Sequence, residues 1–349
     1  MTSVEVAPEK EYVPESTPVA TFWRQATEGT AYWRLLIPAR HLPARVNSLT
    51  WADIDHEDPL HRQEGTAVWQ FLGDLGRTKF AAGIQAAGVR SLMEVDDNYL
   101  TPAPHMPGRQ PTWSRSYRDA VVNGRYSHAA HRQICRGVDG IIVSTEPLAF
   151  DYEKVTDKPI FLCPNSIEPD DWEPVDNTER ALTMGYAGSD SHQYDLHLVD
   201  RALDWAARKG VGLVKIGITT KKWRWLHEQV PWTNDLDAYR RSLQKIDIGL
   251  CPLKRSRWHD GKSDIKAMEI LMAGGLPIVQ ADGPVYRDWI GRVPSASTEK
   301  QWEKAVRDTV EMDHDEREAM RLEALDYLLN NKLIDQHVHK WREAICTHR

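Results

Sequence analysis

Residues 262–277, Lys-Ser-Asp-Ile-Lys-Ala-Met-Glu-Ile-Leu-Met-Ala-Gly-Gly-Leu-Pro, decide how the rest of the chain is read. Lys262, Lys266 and Glu269 recur at i, i+4 and i+7, which stacks them in one column of a helix. Ile265, Met268 and Met272 fall on another face and can bury. Ser263 is placed to cap the helix start, and Gly274-Gly275 to stop it. An apolar strand, Leu276 to Gln280, follows directly. Two cations beside the free N–H groups of a helix start make an anion site. A carboxylate further along can accept hydrogen bonds from sugar hydroxyls. Phosphate at one end and hydroxyls at the other describe a nucleotide-sugar. The competing reading is a solvated face, worth about 0.2–0.5 kcal/mol per charge pair. The Gly-Gly-Leu-Pro stop and the strand behind it weigh against that.

The chain of 349 residues favours two domains over one. Its formal net charge of −7 argues against general coating of nucleic acid and leaves room for a local basic groove. Cys135, Cys163, Cys251 and Cys346 form no C-x-x-C pair, so neither a zinc knuckle nor a disulfide framework is indicated. A reducing, cytoplasmic setting is expected. No apolar run approaches the roughly 20 residues of a membrane span. The acidic, proline-rich start is unlike a signal peptide, and residues 1–20 are expected to form a flexible tail.

From residue 30 onward, short apolar runs alternate with helical stretches. Strands are expected at Tyr32 to Ile37, Thr66 to Leu72, Ser91 to Val95, Gly140 to Ser144 and Pro159 to Leu162. Helices are expected at about Arg77 to Ala87, Ser114 to Arg136 and Pro147 to Val155. Residues 163–180 break the rhythm with a turn and a proline-rich acidic stretch, a candidate hinge. A second alternating unit follows: strands Leu182 to Tyr186, Val211 to Ile216, Asp247 to Cys251 and Leu276 to Gln280, with helices Tyr194 to Lys209 and Leu236 to Gln244. Three helices close the chain, the last from Ile334 to Cys346. Alternation of this kind implies parallel sheets covered on both faces.

Several segments could carry chemistry. Gly185-Tyr186-Ala187-Gly188-Ser189 turns from strand to helix, where glycine admits a ligand and a helix start favours phosphate. Lys254 to Gly261, with Arg255 and Arg257, lies at the carboxyl end of a strand, where open α/β sheets bind ligands. It could neutralise a diphosphate or grip an anionic acceptor. Asp96-Asp97 follows another strand and could orient a hydroxyl, act as base or, least favourably, hold a metal. His128 and His131 sit at i and i+3 of a helix, a spacing more often structural than catalytic. Trp223, Trp225 and Trp232 flank Lys221-Lys222 and could stack on a base, though packing is the commoner use.

These pieces resemble, in order, the GT-B glycosyltransferases, specifically the large retaining group called family 4. Val138-Asp139-Gly140-Ile141-Ile142-Val143-Ser144-Thr145 is similar to the last strand of that family's first domain. Pro164-Asn165-Ser166-Ile167 resembles its Pro-Asn-Gly-Ile hinge turn, with Ser166 for glycine. Gly185 to Ser189 resembles the opening strand and loop of its second domain. The most specific piece is Asp247-Ile248-Gly249-Leu250-Cys251-Pro252-Leu253 followed by Lys262-Ser263-Asp264-Ile265-Lys266 and Glu269. The resemblance spans roughly residues 30–345.

The resemblance implies two facing Rossmann-like domains with parallel sheets and a C-terminal helix crossing back to the first. The expected division is a tail at 1–20, an acceptor-side domain at 21–168 joined by a returning helix within 331–349, and a donor-binding domain at 175–330. It implies a glycosyltransferase using a nucleotide-diphosphate sugar, retaining, with no metal or other cofactor required. Glu269 matches the ribose-contacting glutamate, Lys262 and Ser263 the diphosphate-facing positions, with Lys266 on the same donor-side column. Gly188 and Ser189 match the loop beneath the phosphates. Asp96, Asp97 or His131 would position the acceptor, and Arg255 and Arg257 are weaker candidates for diphosphate or acceptor. Many relatives carry an E-x7-E motif whose first glutamate falls at Gly261 here, which leaves the donor sugar open. The acceptor is equally open: a glycan, a small molecule, a protein or an extruded DNA base, the last suiting the short virus-encoded members. Lys221, Lys222, Lys254, Arg255 and Arg257 would line a groove for DNA. The rival readings are an inactive nucleotide-sugar-binding module and a sugar-nucleotide epimerase.

Overall fold

The computed structural model describes residues 19–24, 28–48, 62–70, 75–100, 128–173, 181–189, 192, 194–217 and 223–346. Most of the expected tail, the first part of the expected Ser114 helix, and Lys221-Lys222 lie outside these residues. Among the described residues two six-stranded sheets organise the molecule, and every strand pairing is parallel.

The first sheet contains β1 (Ala20–Arg24), β2 (Ala44–Ser48), β3 (Thr66–Gln70), β4 (Ser91–Val95), β5 (Gly140–Val143) and β6 (Ile160–Leu162). They run in the order β2-β1-β3-β4-β5-β6. The second contains β7 (Thr183–Ala187), β8 (Gly212–Ile216), β9 (Glu228–Val230), β10 (Ile248–Cys251), β11 (Leu276–Gln280) and β12 (Ser295–Ala296), in the order β12-β11-β10-β7-β8-β9. Strands β3, β4, β5, β10 and β11 are buried along their whole length, as expected for parallel strands covered on both faces. Helices Leu75–Ala86, Glu146–Tyr152, Asp200–Arg208, Leu236–Leu243 and Ile265–Met272 connect successive strands.

The expected strand at Tyr32 to Ile37 is a helix. Glu28–Ala31 is α-helical, Tyr32–Leu36 is a π-helical turn, and Ile37–Arg40 continues as α-helix. Tyr32, Trp33, Arg34 and Leu35 are all buried, Arg34 included, so the run is buried on every side and shows no period to tell the two structures apart. The first strand is instead Ala20–Arg24, and β2 falls where no element was expected. The polar edge strand β9 gives no sequence signal either.

The chain passes between the two sheets twice, side by side. Ile167 forms a parallel bridge with Leu333, its N–H donates to the Lys332 carbonyl (2.8 Å), and Ile334 N–H donates to the Ile167 carbonyl (3.0 Å). The final helix, Ile334–Cys346, then packs on the first sheet. Thr66 Oγ1 donates to the Ile345 carbonyl at 2.9 Å, Arg90 Nη1 to the Ala344 carbonyl at 2.7 Å, and Phe22 meets Trp341.

Candidate functional site

The carboxyl ends of β4, β7 and β10 meet across a cleft. Asp96-Asp97 follow β4, Gly188 follows β7, and the segment from Pro252 to Asp264 follows β10. In open α/β sheets the loops at these ends bind ligands, most of all where strand order diverges and leaves a crevice, as it does between β7 and β10.

The helix bearing the site begins later than expected, at Ile265, with Asp264 as N-cap. Lys262 and Ser263 therefore stand before it. Ser263 does not cap: its Oγ accepts from Asn165 Nδ2 across the cleft at 2.8 Å. Asp264 is held by Trp289 Nε1 at 2.8 Å and by Lys332. The expected stop is present, with Gly274 at φ 88°.

Lys262 Nζ donates to Asp97 Oδ1 at 2.7 Å and lies 3.9 Å from the Trp258 ring centroid. Lys266 Nζ donates to Tyr186 Oη at 2.7 Å. Burial holds the Lys266 ammonium down at about 8. Glu269 is buried, accepts from Tyr239 Oη at 2.9 Å and is hydrogen-bonded by the Trp33 side chain. Burial raises its carboxyl to about 7 against the pull of Tyr239 and Lys266. Lys266 and Glu269 help line a cavity of about 10 Å³, the room of about one water.

Gly188 has a steric reason. A Cβ there would lie 2.5 Å from Tyr186 Oη and 2.8 Å from Lys266 Nζ. Its own N–H is taken by the Ile216 carbonyl (3.1 Å), so it offers close approach rather than a free donor. Ser189 follows, half-buried, in the same loop.

On the opposing side, Asp96 accepts from Tyr99 Oη at 3.2 Å. Burial and the adjacent Asp97 charge push it up to about 6. His131 lies deeper than expected. It is fully buried, 2.9 Å from Tyr152 Oη and edge-on to Tyr99, so it stands behind Asp96-Asp97 rather than beside them. Beneath them Arg34 Nε donates to Glu94 Oε1 at 2.6 Å, and its Nη1 reaches the Cys163 carbonyl and Asn165 Oδ1. The π-helical turn thus aims Trp33 at Glu269 and Arg34 at the hinge, a use this geometry often has.

Arg257 and Arg255 are engaged. Arg257 makes two bonds to Asp151, 3.0 Å and 2.6 Å, across the cleft, and Arg255 pairs with Asp260 at 3.1 Å. Thr145 Oγ1 donates to the Gly261 carbonyl at 2.9 Å. A Cβ on Gly261 would lie 2.9 Å from Leu148 Cδ2 and 3.3 Å from Asn98 Cβ. The approach of the two halves leaves no room there for a longer side chain such as glutamate.

Sequence reasoning did not single out Tyr239, Asp195, Asn98 or Asp151, which join the site only through contacts distant in sequence. Tyr186 and His259 were inside quoted motifs without a role.

No family model matches this sequence, and no curated protein does. Solved structures do. The E. coli trehalose-6-phosphate structure bound with UDP-2-fluoro glucose superposes with a TM-score of 0.61 at 11% identity, covering 94% of this chain and 99% of that one. The α,α-trehalose-6-phosphate synthase of Burkholderia multivorans gives 0.57 at 11%, covering 94% and 97%. The UDP-forming α,α-trehalose-phosphate synthase of Burkholderia vietnamiensis gives 0.57 at 13%, covering 94% and 98%. The chain has the GT-B fold. Its two sheets are the two facing Rossmann-like units of GT-B, and the last helix crosses back onto the first unit as that fold expects. No described helix is long and apolar enough to cross a membrane.

Proposed function

We propose that this chain is a glycosyltransferase that moves a sugar from a nucleotide-diphosphate donor to a hydroxyl-bearing acceptor, with retention and without a catalytic metal. The observation that carries the reading is the convergence of Lys262 and Lys266 at the carboxyl ends of β7 and β10, with Lys262 paired to Asp97 across the cleft. Two ammonium groups stabilise the charge that develops on a diphosphate leaving group, which is the electrostatic work this transfer requires. Glu269, about one turn into the helix that begins at Ile265, has the acceptor oxygens for ribose hydroxyls. Asp96 and Asp97 meet the acceptor from the other side, and His131 supports them from the core.

A nucleotide-sized site runs to about 300 Å³ or more. The cavity beside Lys266 is about 10 Å³ and is lined by residues of the second unit, with Trp33 of the first unit bonded to Glu269, so the donor enters once these side chains part, a movement that separation of the two halves near Ile167 and Leu333 supplies. Reclosure excludes water. On this division residues 21–168, with the returning helix of 331–349, hold the acceptor, and 175–330 hold the donor. The solved neighbours support the donor class and retention: one is bound with UDP-2-fluoro glucose, and another was studied for glycosyltransfer with retention. A Burkholderia xenovorans neighbour binds glucose-6-phosphate, which makes a phosphorylated sugar one acceptor to include.

The test is a panel of UDP- and GDP-sugars, scored by thermal shift and by product mass with and without acceptors. Stabilisation by a donor and release of its nucleotide support the reading. Donor bound but never cleaved points to a binding module, and no donor bound at all overturns the assignment.

A further inference from the structure

A buried carboxylate ties the loop after β7 to the segment that leads to Lys262. Asp195 is fully buried. Its Oδ1 accepts the Lys254 N–H at 2.9 Å, and its Oδ2 lies 2.8 Å from His192 Nδ1 and 3.5 Å from His259 Nε2. Ser256 Oγ accepts the His259 N–H at 3.1 Å, and its hydroxyl proton can go to His259 Nδ1, also at 3.1 Å. A neutral His259 then carries its own proton on Nε2, which lies 3.5 Å from Asp195 Oδ2 and makes no hydrogen bond among the described residues. The acceptor Asp195 puts the His192 proton on Nδ1. Asp195 so receives two hydrogen bonds, from the Lys254 N–H and from His192 Nδ1, the second an assignment that rests on the bonding pattern.

His192 is left with a lone pair on Nε2, pointing away from the carboxylate and bonded to no described residue. The side chain is 7% exposed and its ring lies 6.3 Å from Trp258, the indole that carries Lys262. Burial and the charges of Lys266 and Lys262 push its pKa well below the ordinary imidazole value, so the ring stays an acceptor. Around it the site offers cations, which suit phosphates. Glu269 serves the ribose in the proposed function, and Gly261 leaves the sugar without the glutamate that would read it.

We propose that His192 Nε2 accepts a hydrogen bond from a hydroxyl of the transferred sugar, with Asp195 as the positioning residue that fixes its tautomer. This rests on the donor reading above. His192, Asp195 and His259 also have ligand atoms within 4.8 Å of one another, as a metal site would. The charges of Lys262 and Lys266 beside the cluster disfavour a cation there, and the His192–Asp195 hydrogen bond favours the uncharged reading.

The full chain is titrated calorimetrically with UDP against UDP-glucose and GDP against GDP-mannose. His192→Phe is expected to bind the bare nucleotide within about twofold of wild type and the sugar donor about tenfold more weakly, the range of one hydrogen bond. His192→Gln, which keeps an acceptor, recovers most of that loss. One monodeoxy donor should bind wild type about tenfold more weakly and His192→Phe no more weakly than the parent sugar. Equal weakening of nucleotide and sugar donor by His192→Phe, with no rescue by His192→Gln, assigns a merely structural role and overturns the proposal. So does a stoichiometric transition metal, by mass spectrometry, whose chelation removes donor binding. If wild type binds donors and His192→Phe is unchanged, the His192 role alone falls. If wild type binds no nucleotide, the donor reading falls and takes this proposal with it.

Discussion

Lys262→Ala and Asp97→Asn should move donor affinity in opposite directions. In the closed structure the Lys262 ammonium is 2.7 Å from Asp97 Oδ1, with the two side chains 15% and 25% exposed. A diphosphate must take the place of that carboxylate. A charge-assisted bond from a half-buried ammonium to phosphate contributes about 1.5–3 kcal/mol. At about 1.4 kcal/mol per factor of ten, Lys262→Ala should weaken UDP or GDP binding roughly 10- to 150-fold. The Lys262–Asp97 pair itself, near the surface, is worth about 0–1 kcal/mol. Asp97→Asn removes the competitor and should tighten nucleotide binding by up to about fivefold, while turnover falls because the acceptor loses a carboxylate. Global stability should change by less than about 1 kcal/mol in either variant. Isothermal titration gives the affinities, urea melts the stability, and rising salt should narrow the contrast. Unchanged affinity in Lys262→Ala, or weaker nucleotide binding in Asp97→Asn, would refute the reasoning.

Three further outcomes are expected. Gly188→Ala drives a methyl to within 2.8 Å of Lys266 Nζ, so the ammonium must move, and nucleotide affinity should drop about tenfold by titration. Donor affinity against pH should peak between about 7 and 8: Glu269 ionises and gains acceptor strength as pH rises through about 7, and Lys266 loses its charge as pH rises through about 8. A flat profile from pH 6 to 9 would remove both groups from the donor site. Glu94→Leu strands the buried Arg34 guanidinium, which should cost about 3–5 kcal/mol in a denaturant melt, whereas the double variant with Arg34→Met should recover most of it.

The central strands were legible because a parallel strand buried on both faces must be a short apolar run, as Leu276–Gln280 and Ile248–Cys251 are. Tyr32–Leu36 is buried at four of its five positions, Arg34 among them, yet helical, because burial on all sides erases the period that separates helix from strand. Edge strands such as Glu228–Val230 carry polar residues that mark nothing. Within the site, Lys262, Lys266 and Glu269 could be found because they lie close together in sequence. Asp97, Asn165 and Asp195 could not be joined to them that way: Asn165 meets Ser263 98 positions away, and Asp195 meets Lys254 59 away. The glycine at Gly261 becomes intelligible only once Leu148 and Asn98 are placed against it.

A crystal structure of the full chain with UDP-glucose, and another with GDP-mannose, tests the placement of the donor most directly. Donor phosphate oxygens should lie within about 3 Å of the Lys262 and Lys266 ammonium groups, with the Lys262–Asp97 pair broken and the ribose on Glu269. A donor bound elsewhere, or bound with that pair intact, would contradict it.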